Sequence, residues 1–72
     1  MTNIKLLEDR IQKSGLKKGY LAKQIGVSRG TFRSLLANKS EFKTSQVETL
    51  CKILDIKDDA TIKAIFFASR GA

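Results

Sequence analysis

The sequence predicts an all-α fold, a compact bundle of about five short helices. Three observations predict it. Apolar residues recur at helical spacing along the whole 72-residue chain. Strand-like alternation is weak, and glycines or short polar stretches break the helical pattern at intervals. A chain this short buries only about 60% of the surface its unfolded form exposes, so it builds one small core with little stability in reserve. Residues 1–72 therefore read as a single domain.

The first helix is expected from Asn3 to Ser14, capped by Asn3 or Thr2, with Ile4, Leu7 and Ile11 on one face and Gly15 as its stop. The second is short, about Lys18 to Ile25, and turns Leu21, Ala22 and Ile25 inward before Gly26 ends it. The third starts at Ser28, a good N-cap, and runs to Ala37 or Asn38. Its Phe32, Leu35 and Leu36 share one face, and Arg29, Gly30, Arg33 and Ser34 share the other. A polar loop, Asn38 to Lys43, follows. The fourth helix takes Thr44 or Ser45 as cap, Ser45 and Glu48 as a capping box, and Val47, Leu50, Cys51 and Leu54 as its core face. The last is expected from Asp58 to Ala68, with Asp58 and Asp59 suiting its dipole and Ile62, Ile65 and Phe66 facing inward.

Composition excludes several classes of function. The chain has no His, which removes the commonest general base and metal ligand, and its one Cys builds neither an internal disulfide nor a zinc site. Cys51, between Leu50 and Ile53, reads as a buried small hydrophobe. Asp58-Asp59 is a lone acidic pair that caps a helix. No nucleophile with a nearby base and no phosphate-binding glycine loop can be assembled, so neither catalysis, a cofactor, a metal nor a small-molecule ligand is expected. The N-terminus carries no signal-peptide core, and no apolar run approaches the ~18 residues of a membrane span, so a cytoplasmic protein without membrane contact is expected.

Charge gives the positive clue. Fourteen basic residues against seven acidic ones leave +7, and the excess is concentrated. Residues 17–43 hold Lys17, Lys18, Lys23, Arg29, Arg33, Lys39 and Lys43 against Glu41 alone, a net +6. Residues 1–16 carry +1, and residues 44–72 balance. A concentrated positive field attracts polyanions, nucleic acid first among them and an acidic protein surface second.

The same segment has the layout of a helix-turn-helix unit, about residues 18–37. Ala22 lets two helices approach, Gly26 permits the positive φ of a sharp turn, Val27 plugs the corner, and Phe32 and Leu35 anchor the second helix. The run Tyr20-Leu21-Ala22-Lys23-Gln24-Ile25-Gly26-Val27-Ser28-Arg29-Gly30-Thr31-Phe32-Arg33-Ser34-Leu35-Leu36-Ala37-Asn38 resembles the helix-turn-helix of phage Cro and CI-type repressors. The likeness in layout extends over roughly residues 3–57 and implies a lambda-repressor-like DNA-binding domain.

That resemblance implies a recognition helix in the major groove of double-stranded DNA, with Ser28, Arg29, Gly30, Arg33 and Ser34 facing base edges. Arg29 and Arg33 could each read a guanine through a bidentate fork. Lys18, Asn38, Lys39 and Lys43 would face phosphates, which give affinity and salt dependence rather than sequence choice. Two features depart from the pattern. Ala37-Asn38-Lys39 stands where the family often has Glu-Asn-Gly, which changes the cap and not the surface. Gly30 removes a side chain where the family often carries a base reader. Either DNA or protein approaches closely there, or the glycine is neutral.

The chain as a whole also resembles the modulator-of-repression antirepressors of temperate lactococcal phages. That likeness implies a lysis–lysogeny regulator that complexes the DNA-binding domain of a CI-type repressor and co-binds DNA. The alternative is an autonomous Cro-like repressor working as a homodimer. Ile65-Phe66-Phe67-Ala68 is apolar all round, so Ile65 and Phe67 are candidates for an apolar interface, unless Phe67 packs on the first helix.

Overall fold

The computed structural model describes residues 2–67, which form five helices and no strand. They are α1 (Ile4–Ser14), α2 (Lys18–Gln24), α3 (Arg29–Leu36), α4 (Thr44–Ile53) and α5 (Asp59–Phe66). No helix among the described residues is long and apolar enough to cross a membrane. The expected extension of the last helix to Ala68 lies outside the described residues.

Side chains set most helix starts. Asn3 Oδ1 accepts the Leu6 N–H at 3.2 Å, Ser28 Oγ accepts the Thr31 N–H at 3.1 Å, and Asp58 Oδ2 accepts the Thr61 N–H at 2.9 Å. Each satisfies an amide that has no partner inside its helix. The start of α4 differs from the expected Ser45–Glu48 capping box. The helix begins two residues earlier than that box implies, so Lys43 occupies the cap position and Gln46 the third helical one. Gln46 Oε1 accepts the Lys43 N–H at 2.9 Å.

Three helix ends share one device. After α2, α3 and α4 the chain enters a left-handed residue: Gly26 (φ 76°), Asn38 (φ 58°) and Asp55 (φ 57°). In each case the next amide reaches back five residues. Val27 N–H donates to Ala22 O at 3.0 Å, Lys39 N–H to Ser34 O at 2.9 Å, and Ile56 N–H to Cys51 O at 2.8 Å. These are Schellman closures. Asn38 fills the αL position without glycine because its short polar side chain tolerates that region. Gly15 (φ 74°) ends α1 with its N–H on Gln12 O.

The core joins all five helices. Leu7 and Ile11 of α1, Leu21 and Ala22 of α2, Phe32 and Leu35 of α3, Val47, Leu50 and Cys51 of α4, and Ile65 and Phe66 of α5 are buried, together with Leu54 and Ile56. Ala22, with 2% exposure, sits where α2 crosses α3. Cys51 is buried as expected, and burial pushes its thiol pKa up. Ile65 faces inward as its spacing predicts, which corrects its candidacy for an interface: at 1% exposure it is core and offers nothing to a partner.

The 38–43 loop holds another correction. It is not simply polar, because Phe42 turns in and lies edge-on between two core rings. Its centroid is 6.5 Å from Phe32 at 78° and 5.7 Å from Phe66 at 85°. This T-shaped chain ties α3 to α5 through the loop, with the attraction between ring edges and faces added to apolar burial.

The N-terminal residues complete the packing. Thr2 is buried, its carbonyl accepts Asn38 Nδ2 at 3.1 Å, and the Asn3 N–H donates to Ile65 O at 2.6 Å. The segment before α1 thus touches both the end of α3 and the end of α5.

Phe42→Ala removes the middle ring of the chain and is expected to destabilise the fold by about 2 kcal/mol, measured as a lower urea midpoint. Asp58 supplies a pH-dependent test. The Thr61 hydroxyl, then the Thr61 N–H, hold its carboxyl below the usual carboxylate range; slight desolvation opposes them and Arg10 adds an attraction. A depressed folded pKa contributes stability above the unfolded value of about 4, which is lost as pH falls through the folded pKa. Asp58→Ala should therefore melt below the parent near pH 7, and the gap should narrow in melts taken near pH 3.

Candidate nucleic-acid interface

The candidate surface follows from how α3 is held. Phe32 and Leu35 are 2% exposed and Leu36 packs partly against the same core. With that side buried, the opposite side of the helix carries Arg29, Gly30 and Arg33 to solvent, with Ser34 half-buried at its edge. In the turn ahead of α3, Gly26 takes the left-handed conformation and Val27 packs against the core. Positive φ at Gly26 is what lets the chain reverse so soon after α2.

The expected site residues divide by what their side chains already do. Ser28 is committed to the helix itself, since its Oγ accepts the Thr31 N–H and donates to Thr31 Oγ1 at 3.0 Å. It positions α3 and has little left for a base. Asn38 spends its amide on the Thr2 carbonyl, so it closes α3 and ties down the N-terminus. Lys18 is paired with Glu8 of α1, at 3.0 and 3.1 Å to the two carboxylate oxygens. Both partners are about half exposed, so this pair orients Lys18 more than it stabilises the fold. Lys39 and Lys43 are exposed and stand in no ion pair among the described residues.

Gly30 has open space where a Cβ would sit, with Ser28 Oγ the nearest atom at 3.9 Å. Its φ is not in the left-handed range, so nothing within the chain requires glycine there. The bare spot belongs to the outer surface.

Two features escaped the sequence reading. Gly19, on α2, lies directly under the Arg29 side chain. Glu8 faces α2 across the first turn. Both line an open groove of about 620 Å³, together with Lys18, Arg29, Phe32, Arg33, Leu36 and Ala37. Neither was legible because no local spacing connects Glu8 to Lys18 or Gly19 to Arg29. Tyr20 is also exposed, at 48%, beside the exposed Lys17 and Lys18.

The other expected interface loses one residue and keeps one. Ile65 belongs to the core, whereas Phe67 is 58% exposed, beside Asp59, Ile62 and Lys63.

Electrostatically, the α2–α3 region presents Lys17, Lys23, Arg29, Arg33, Lys39 and Lys43, all exposed, with Glu41 the one acidic residue in residues 17–43. Such a surface focuses an attractive field on a polyanion. No group of three His, Cys, Asp or Glu side chains among the described residues could hold a metal ion.

Comparison with known proteins agrees with this geometry. A search of curated proteins and a search of solved structures each find no match. A scan against protein-family models matches the Cro/C1-type HTH DNA-binding domain over residues 6–57. That span takes in most of α1, all of α2, α3 and α4, and well over half of the chain. The chain belongs to the Cro/C1-type helix-turn-helix DNA-binding family.

Proposed function

We propose that the chain is a sequence-selective regulator of transcription that lays α3 in the major groove of double-stranded DNA. The observation that carries this reading is the outward face of α3. Arg29, Gly30 and Arg33 are exposed together on a helix whose opposite face is locked into the core, and exposed lysines flank its far end. A helix of this width fits the major groove, where an arginine reads guanine O6 and N7 by two parallel hydrogen bonds. Arg33 has the freedom to do so. Lys39 and Lys43 lie in and after the loop that follows α3, where the strand backbone passes in this docking mode.

A single unit makes few contacts, so high selectivity requires two copies on a two-fold-related site. The exposed Phe67 supports such pairing by a second copy, with burial of its ring as the driving force.

A second reading rests on the same two features. The bare patch at Gly30 and the exposed Phe67 also suit a protein partner, and the charge of the α3 face suits an acidic one. In that reading the chain is an antirepressor of a lysis–lysogeny switch that complexes the DNA-binding domain of a CI-type repressor. DNA binding and repressor binding are compatible if they use different surfaces.

Titration of the purified chain with switch-region duplex at two salt concentrations, with and without the companion repressor, separates the readings. Tight, selective binding by the chain alone, weakening steeply with salt, is the expected result. Absence of DNA binding together with a stable one-to-one complex with the repressor would overturn it in favour of the antirepressor. Within the DNA reading, Lys39→Ala should weaken specific and random duplex alike and reduce the salt slope by about 1. Arg33→Ala should cost about 1–3 kcal/mol on the specific site and relax the preference at one base pair, measured by competition with single-base variants.

A further inference from the structure

Gly19 is the second residue of α2, a seven-residue helix. Its backbone is not left-handed, and alanine would be the better helix former there. The reason for glycine lies outside α2. A Cβ at Gly19 would stand 3.0 Å from Nη2, 3.1 Å from Nε and 3.3 Å from Cζ of Arg29. The guanidinium of the first residue of α3 therefore rests on the bare backbone of α2. An added methyl would crowd the guanidinium and press it outward by a few tenths of an ångström.

The seated guanidinium keeps its donors. It takes part in no ion pair among the described residues, and Glu8, the carboxylate lining the same groove, is already paired with Lys18. Arg29 thus lies back over α2, close to Lys18, instead of projecting ahead of α3. Arg33, one turn further on, is exposed and lines the outer part of the same groove without resting on a glycine.

We infer that Gly19 is a positioning residue that holds Arg29 against α2, so that Arg29 grips the DNA backbone beside Lys18 and base reading falls to Arg33. This rests on the DNA-binding reading above. In helix-turn-helix docking the first helix of the unit crosses the backbone while the second enters the groove. A guanidinium laid on the first helix therefore meets phosphate, which its planar fork engages with two parallel hydrogen bonds. Holding the side chain there before binding reduces the freedom it loses on binding.

The test uses the full chain and the variants Gly19→Ala, Arg29→Ala and Gly19→Ala/Arg29→Ala. The added methyl displaces only the far end of a flexible side chain, so Gly19→Ala should melt no lower than the parent. Gly19→Ala and Arg29→Ala should each weaken binding by about tenfold on specific and random duplex alike, with the salt slope reduced by about 1. The double variant should bind no worse than Arg29→Ala alone, a non-additivity that general damage to α2 would not produce. In the free protein, a nuclear Overhauser contact between the Arg29 side-chain N–H and the Gly19 α-protons should report the seat without DNA. The inference is overturned if Gly19→Ala binds like the parent, if its loss persists in full on Arg29→Ala, or if Arg29→Ala loses affinity at one base pair only. A parent chain that binds no duplex overturns the DNA reading and the backbone role of Arg29 with it, while the Overhauser contact still decides whether Gly19 seats the side chain.

Discussion

What α3 can present to a partner depends on the burial of Phe32. That ring fixes the rotation of the helix about its own axis, and so decides which residues face out. Phe32 does not act alone: Phe42 leans edge-on against it and against Phe66, so one aromatic chain spans α3, the loop and α5. In a domain with so little interior, three rings meeting at favourable angles are a large share of the directional packing. The loop bearing Lys39 and Lys43 hangs from the middle ring, so the placement of the basic rim and that of the recognition helix share one support.

The polar residues around α3 sort by the same logic. A side chain already satisfied within the fold has little to offer a ligand, and one left unsatisfied in solvent has much. Ser28 and Asn38 are spent at the two ends of α3, and Lys18 is turned toward Glu8. Arg33, Lys39 and Lys43 stand outside the ion pairs described, and Arg29 is seated without being neutralised. A contiguous run of charge in the sequence thus becomes, in three dimensions, a division between residues that build the surface and residues that form it.

Much of this was legible in the sequence. The helix order, the caps at Asn3, Ser28 and Asp58, the turn at Gly26 and nearly all of the core follow from apolar spacing and the chemistry of single residues, because those signals are local. The failures are non-local or ambiguous. Phe42 was hidden in a polar loop, since one aromatic has no periodicity to betray its direction. Spacing turned Ile65 inward correctly, and it was the all-apolar run around it that also suggested an interface it does not supply. At the start of α4 the Ser45–Glu48 box was the legible signal, and the pairing of Gln46 with the Lys43 amide, two residues earlier, prevailed. Gly19 and Glu8 acquire meaning only when α1, α2 and α3 are brought together.

The junction made by Thr2, Asn3, Asn38 and Ile65 has a consequence for synthesis. As the chain leaves the ribosome, α2 and α3 emerge well before α5, so the unit that meets DNA is made before its support. Until Ile65 accepts the Asn3 amide and Phe66 meets Phe42, the ends of the domain stay open and the aromatic chain that starts at Phe32 lacks its last ring. The domain is therefore completed after translation has passed α5, and a nascent chain still lacking that helix carries the recognition residues before the last ring of their support is in place.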